Sequence, residues 1–240
     1  MTFITHTYTN CGGRANNEDF AYCGNNVWLV ADGLGGHDSG EVASRTAADA
    51  VKKYVTERGI SLSPIYMTDV INNANLAVIA EQNKDAQLAS MRTTIVFAIT
   101  DGASIRYANV GDSRFYYFKK GKIFAQSEDH SVAAASVKLG ESTYDKIRED
   151  PDRNKLIKVL GDKEELSLKI PEAAIIPESG DAMLLCSDGF WENVFETEME
   201  TDLCKSSGPR EWVEFMVKRL LLKTKNIDND NFTVVAMMVQ

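Results

Sequence analysis

Apolar residues fall along this chain in two rhythms, short β-type runs and longer stretches at helical spacing. Val27-Trp28-Leu29-Val30-Ala31 is a run of the first kind and predicts a buried strand. It stops at Asp32 and a glycine-rich loop, after which Asp38 or Ser39 is placed to cap a helix through about Arg58. Its expected apolar side is Val42, Thr46, Ala47, Ala50, Val51, Tyr54 and Val55, and Gly59 ends it. Pro64 opens a second helix with Val70, Ile71, Ala74, Ala77 and Val78 on one side.

The pattern then turns to period two. Thr93 to Thr100 is a predicted strand, Asp101-Gly102 a hairpin turn, and Ser104 to Val110 the returning strand. Phe115 to Lys119 and Lys122 to Ala125 flank Lys120-Gly121 as a second hairpin, and Asp181 to Cys186 and Phe232 to Val239 add two more strands. A helical stretch lies between Glu192 and Asn226, clearest from Pro209, with Trp212, Phe215, Met216 and Leu220 at helical spacing. Hairpin-joined strands with grouped helices argue for an α+β fold, a β-sandwich covered by helices, and against a doubly wound parallel sheet. Residues 131–168, polar and broken by Gly140, Pro151 and Gly161, are expected to form a mobile flap on a single domain spanning 1–240.

Composition narrows the function classes. The chain has 240 residues, 44% hydrophobic and 25% charged, an ordinary globular balance that argues against disorder. With 35 acidic against 26 basic residues and a net charge of −9, it lacks the basic bias of a nucleic-acid binder. Cys11, Cys23, Cys186 and Cys204 form no C-x-x-C pair and are expected to be buried, reduced thiols. The first residues lack a secretory signal, and no apolar run is long enough to span a bilayer. A cytoplasmic protein with no membrane partner is the expectation.

The candidate chemistry lies in six short stretches at the edges of apolar runs. They are Arg14-Ala15-Asn16-Asn17-Glu18-Asp19, Asp32-Gly33-Leu34-Gly35-Gly36-His37, Gly111-Asp112-Ser113-Arg114, Asp129-His130-Ser131, Ser187-Asp188-Gly189 and Asp230-Asn231. If neighbouring strands carry Asp32, Asp188 and Asp230, their carboxylates meet in one cleft, and such a cluster needs a cation. All-oxygen ligation suits Mg²⁺ or Mn²⁺. Two such ions about 3.5–4 Å apart hold a hydroxide as nucleophile, and the planar fork of Arg14 suits a phosphate dianion. Metal-assisted hydrolysis of a phosphate ester follows.

In order and spacing these six stretches resemble the motif set of the metal-dependent protein phosphatases (PPM, type 2C), most closely the compact bacterial type. The resemblance runs from about Thr9 to the final strand. It implies a central sandwich of two antiparallel sheets flanked by helices on both sides, in four α-β-β-α layers. It also implies that Asp32 bridges two metals, that the Gly33 carbonyl binds one, and that Asp188 and Asp230 complete the other. Glu18 and Asp19 would act through metal-bound waters, Arg14 would hold the substrate phosphate, and Asp112 with Asp188 would bind a third, weaker ion. The implied reaction is direct attack of metal-bound hydroxide on phosphoserine or phosphothreonine in a protein, without a phosphoenzyme. A cognate kinase and a monomeric state are further expectations. A catalytically silent module of the same fold and a small-molecule phosphoesterase are the competing readings.

Two positions depart from the family pattern. Leu34 stands where some members carry a histidine proposed as general acid, and His37 comes three positions too late to replace it. Arg92 stands where relatives commonly have glycine and is expected to point to solvent. Asp112 could instead pair with Arg114. His37 and His130 are expected to make local hydrogen bonds, and Trp191 to be core or cleft wall. Lys218, Arg219, Lys223 and Lys225 are expected to form a solvated helix face.

Overall fold

The structure is a computed structural model that describes residues 1–35, 39–164 and 166–240. Its described strands are β1 (Phe3–Asn10), β2 (Asp19–Gly24), β3 (Val27–Leu34), β4 (Arg92–Thr93), β5 (Ile95–Thr100), β6 (Ile105–Val110), β7 (Arg114–Lys119), β8 (Lys122–Gln126), β9 (Ala182–Cys186) and β10 (Phe232–Val239). The helices are α1 (Ser39–Arg58), α2 (Pro64–Gln82), α3 (Val132–Lys138), α4 (Asp188–Trp191), α5 (Glu196–Lys205) and α6 (Pro209–Lys223). One antiparallel sheet has the order β1-β10-β9-β7-β8; the other runs β2-β3-β5-β6, with β4 added on β3.

Residue alternation explains the layering. Successive strand side chains point to opposite faces, so Phe115 and Tyr117 of β7 enter the space between the sheets with Met183, Leu185 and Val235. Tyr116 and Phe118 face the other way and pack with Leu184, Trp212, Met216 and Leu220. On the far side Phe97 and Ile99 meet Val51, Met67 and Ile71 of the first helix pair. Central strands buried on both faces give the continuous apolar runs seen in the sequence. The four-layer α-β-β-α sandwich is the result.

Two strands escaped the sequence reading. β1, rich in threonine, pairs with β10 from Phe3↔Val239 to Asn10↔Phe232, and β2 pairs with β3 from Asp19↔Asp32 to Gly24↔Val27. Both are edge strands with half-exposed side chains, which weakens the apolar signal. The stretch expected as one helix after Glu192 is two, α5 and α6.

The face of α1 is also rotated from expectation. Ala43, Ala47, Ala48, Ala50, Val51 and Val55 are buried, whereas Val42, Thr46 and Tyr54 are only half-buried. Small side chains let the helix sit close to β3: a Cβ on Gly33 would lie 2.1 Å from the Gly40 carbonyl oxygen. That close contact fixes α1 against the end of the strand carrying Asp32.

Residues 131–168 contain α3 and a 3-10 turn, Tyr144–Glu149, and are joined to the rest by bridges such as Thr93↔Leu160. Among the described residues no helix is long and apolar enough to cross a membrane. The four cysteines are free, but only Cys186 is buried and Cys204 is exposed, because Cys204 lies on the outer side of α5. The basic cluster on α6 is not simply solvated. Arg219 forks onto the buried Asp202 at 2.6 and 2.8 Å, and Lys223 bonds Glu198 at 2.6 Å, because α5 packs beside α6 and supplies those acids. Lys218 and Lys225 remain exposed.

Candidate active site

Strand ends bring the predicted acids together. Asp32, near the end of β3, stands opposite Asp19, the first residue of β2. Its backbone is held from the neighbouring β4–β5 junction: Thr93 Oγ1 donates to the Asp32 carbonyl at 2.8 Å, and Asp32 N–H donates to Thr94 Oγ1 at 3.2 Å. Asp188 begins α4 just after β9, Asp230 precedes β10, and Asp112 lies in the turn between β6 and β7. Asp32, Asp112, Asp188 and Asp230, with Gly33 and Arg14, line one cleft of about 470 Å³. Glu18 lines it too, as do Asn154 and Leu156 from the 131–168 segment.

Several residues build this cleft through long-range contacts that the sequence does not announce. Asn231 donates from Nδ2 to the carbonyls of Cys11 (3.0 Å) and Asn16 (2.9 Å) and accepts from the Glu18 N–H at 2.8 Å. It thereby pins the loop that presents Arg14. Gly189 must be glycine, since a Cβ there would sit 2.1 Å from the Asn231 carbonyl oxygen. Ser187 Oγ donates to Asp19 Oδ2 at 2.7 Å and accepts from the Thr233 N–H at 2.9 Å. Trp191 Nε1–H donates to the Asp112 carbonyl at 2.9 Å. Paired threonines and an asparagine after an aspartate are the available sequence cues.

The acids disturb one another strongly. Burial pushes the Asp19 carboxyl up to about 7, against lowering bonds from Ser187 and Thr233, and Asp188 and Asp230 add to the rise. Burial, then the charges of Asp19, Asp188 and Asp112, hold Asp32 well above the carboxylate range. Burial and Asp188 do the same to Asp112, while burial, Glu192 and Asp230 raise Asp188 to about 6. Asp19 Oδ1 is buried with no hydrogen-bond partner among the described residues. Carboxylates gathered in a buried cleft with an orphaned oxygen fit a divalent cation with oxygen ligands. Among the described residues no three acid, histidine or cysteine side chains close into a cage. The arrangement is an open cleft, as suits ions that keep several waters.

Arg14 is the one basic side chain among the described residues lining the cleft. Its Nε and Nη2 donate to Asp230 Oδ1 (3.1 Å) and Oδ2 (3.0 Å). Asp112 does not pair with Arg114, because Arg114 is committed to Asp129 at 2.9 and 2.7 Å in a fully buried fork. The Asp129-His130-Ser131 stretch is thus structural. His130 Nδ1 accepts from the Gly111 N–H at 3.3 Å, and Ser131 Oγ caps α3.

Trp191 is core, 1% exposed. Leu34 lines the cleft. Gly36, His37 and Asp38 lie outside the described residues. Arg92 does not point to solvent: its Nε donates to Asp162 at 2.6 Å. The Thr93↔Leu160 bridge draws Asp162 over it.

Comparison with known proteins gives a consistent picture. The protein phosphatase 2C family profile matches residues 14–226. The serine/threonine phosphatase stp of Listeria welshimeri is 32% identical over 208 residues, covering 85% of this chain and 79% of its own. The crystal structure of serine/threonine phosphatase Stp1 from Staphylococcus aureus superposes with a TM-score of 0.87 at 26% identity, covering 100% of this chain and 96% of its own. The catalytic domain of serine threonine protein phosphatase PstP, solved in complex with 2 manganese ions, shares the fold at a TM-score of 0.85 and 24% identity, with 99% of both chains covered. With the profile spanning most of the chain, the protein belongs to the protein phosphatase 2C family.

Proposed function

We propose that this chain is a metal-dependent protein serine/threonine phosphatase that hydrolyses phosphoserine and phosphothreonine in proteins. The observation that carries this reading is the meeting of Asp32, Asp112 and Asp188, each raised by burial and by its acidic neighbours, with Asp230 and Arg14 in one cleft, and with the buried Asp19 opposite Asp32. Asp32, the Gly33 carbonyl, Asp188 and Asp230 would hold two Mn²⁺ or Mg²⁺ ions, with Glu18 and Asp19 acting through water. Asp112 with Asp188 would hold a third. When bound, such ions polarise the phosphoryl oxygens and lower the pKa of water.

The chain's own groups divide the remaining work. Asp32 would orient the attacking water by accepting a hydrogen bond from it. Arg14 takes two phosphate oxygens with its fork, which requires that it leave Asp230. Asp230 is then free to act as a ligand. Leu34, which lines the cleft, offers no proton to the departing serine or threonine oxygen. The displacement would be direct, without a phosphoenzyme.

Residues 1–240 would form a single catalytic domain, monomeric and cytoplasmic, working against a cognate protein kinase. Asn154 and Leu156 on the cleft wall support substrate selection by the 131–168 segment. The test is hydrolysis of a phosphothreonine peptide by purified protein with Mn²⁺ or Mg²⁺. Activity should vanish with chelator and in Asp32→Ala; undiminished turnover in either would overturn the reading.

A further inference from the structure

A buried network lies directly behind Asp112 and Asp188. Trp191 closes the turn of α4 that begins at Asp188, and its indole N–H holds the Asp112 carbonyl at 2.9 Å. One side chain therefore ties together the two backbones that carry these carboxylates. The Arg114 guanidinium stacks 3.3 Å from the centre of the Trp191 ring. From the turn Tyr144–Glu149, Arg148 reaches the same residue: its Nε donates to the Trp191 carbonyl at 3.0 Å. Its Nη2 donates to Glu196 at 2.9 Å, and Glu196 also accepts from Tyr116 at 3.1 Å and Arg114 at 3.4 Å. The Arg148 side chain is only 10% exposed. Burial would raise the Glu196 carboxyl, but Arg148 and then Arg114 hold it low, so the cluster is charged.

We infer that Arg148 is a positioning residue, which clamps the 144–149 turn onto Trp191 and Glu196 and so sets the relative placement of Asp188 and Asp112. This rests on the proposed metal-dependent reading of the cleft. The link runs both ways: seating of the 131–168 segment fixes the carboxylates, and the ordered carboxylates hold the segment. Arg153, paired with Glu192 at 2.7 Å, is a second tether to the loop after α4, so loss of Arg148 loosens the segment without releasing it. Lysine cannot replace Arg148, since a point charge on a flexible stem does not span two acceptors as a planar fork does.

The test compares wild type, Arg148→Ala, Arg148→Lys and Glu196→Gln by Mn²⁺ calorimetry, limited proteolysis of residues 131–168 and kinetics on an aryl phosphate. Displaced supporting contacts behind ligands weaken metal binding by about tenfold or more. Both Arg148 variants should lose about tenfold in Mn²⁺ affinity, and proteolysis within 131–168 should quicken. The activity lost at limiting Mn²⁺ should return at saturating Mn²⁺, which a global loss of folding would not allow. If Arg148→Ala does not fold, Glu196→Gln, which keeps the shape and one acceptor, carries the same expectation. Variant affinities within twofold of wild type would overturn the inference. Failure of wild type itself to bind Mn²⁺ would instead overturn the functional reading beneath it.

Discussion

Arg14 grips Asp230 with two parallel hydrogen bonds, at 3.1 and 3.0 Å, and both side chains are about half exposed. The residue suited to phosphate is thus bound to a residue suited to metal. On the proposed reading each would occupy the other until an ion and a substrate arrive. An exposed pair of this kind contributes little to stability, so exchanging it for ligand contacts costs little. Arg14→Ala should therefore raise KM for an aryl phosphate by roughly tenfold, the scale of a charge-assisted bidentate contact. Its Mn²⁺ affinity should not fall, because Asp230 is released. Parallel titration and steady-state kinetics check this; an Arg14→Ala protein with normal KM would show that the pair is only structural.

Like charges make the metal-free cleft costly. Asp32 is raised by burial and by three neighbouring aspartates. Asp32→Asn should remove at least 10³-fold of activity while making the metal-free protein more stable. A gain of about 1 kcal/mol corresponds to roughly 2–4 °C in a chain of this size. Thermal melts in chelator measure it. A lower melting temperature for Asp32→Asn would mean that neither burial nor the neighbouring carboxylates penalise a charge at this position.

The pH dependence of the metal-free protein has a definite sign. Asp19 and Asp188 are raised to about 7 and about 6, from ordinary values near 4. A carboxyl raised on folding binds its proton more tightly in the folded state. The stability it contributes is full below its unfolded value and is lost as pH climbs to the folded one. Metal-free protein should therefore lose stability between about pH 4 and pH 7. Added Mn²⁺ should raise the melting temperature more at pH 7.5 than at pH 5, since protons and cations compete for the same oxygens. Equal Mn²⁺ shifts at the two pH values would contradict this.

How much of this was legible in the sequence depends on what each residue does. Asp32, Asp188 and Asp230 stand out because a carboxylate that ends or precedes an apolar run, often with glycine beside it, leaves a local pattern. The central strands stand out because burial on both faces makes unbroken apolar runs. The contacts of Ser187 with Asp19, Trp191 with Asp112 and Asn231 with Cys11 do not, since each runs across register or between layers, to a partner 79 to 220 positions away. β1 and β2 were missed because edge strands keep polar side chains in water. Arg92 was misread because its partner, Asp162, arrives through an isolated bridge that no local pattern announces.

Ser187 gives the most direct test of how Asp19 is tolerated. Its hydroxyl serves Asp19 Oδ2 at 2.7 Å, while Oδ1 has no partner among the described residues. Ser187→Ala removes that bond and also the acceptor for the Thr233 N–H. Stranding a buried polar group costs about 1–3 kcal/mol. Loss of that order is expected in denaturant melts of the metal-free protein at neutral pH, where Asp19 carries charge in part. At pH 4.5 the carboxyl holds its proton, so the loss should shrink. Saturating Mn²⁺ should shrink it too, by offering Asp19 a water-linked partner of opposite charge. A loss independent of both pH and Mn²⁺ would trace the effect to Thr233 alone and leave Asp19 outside the metal site.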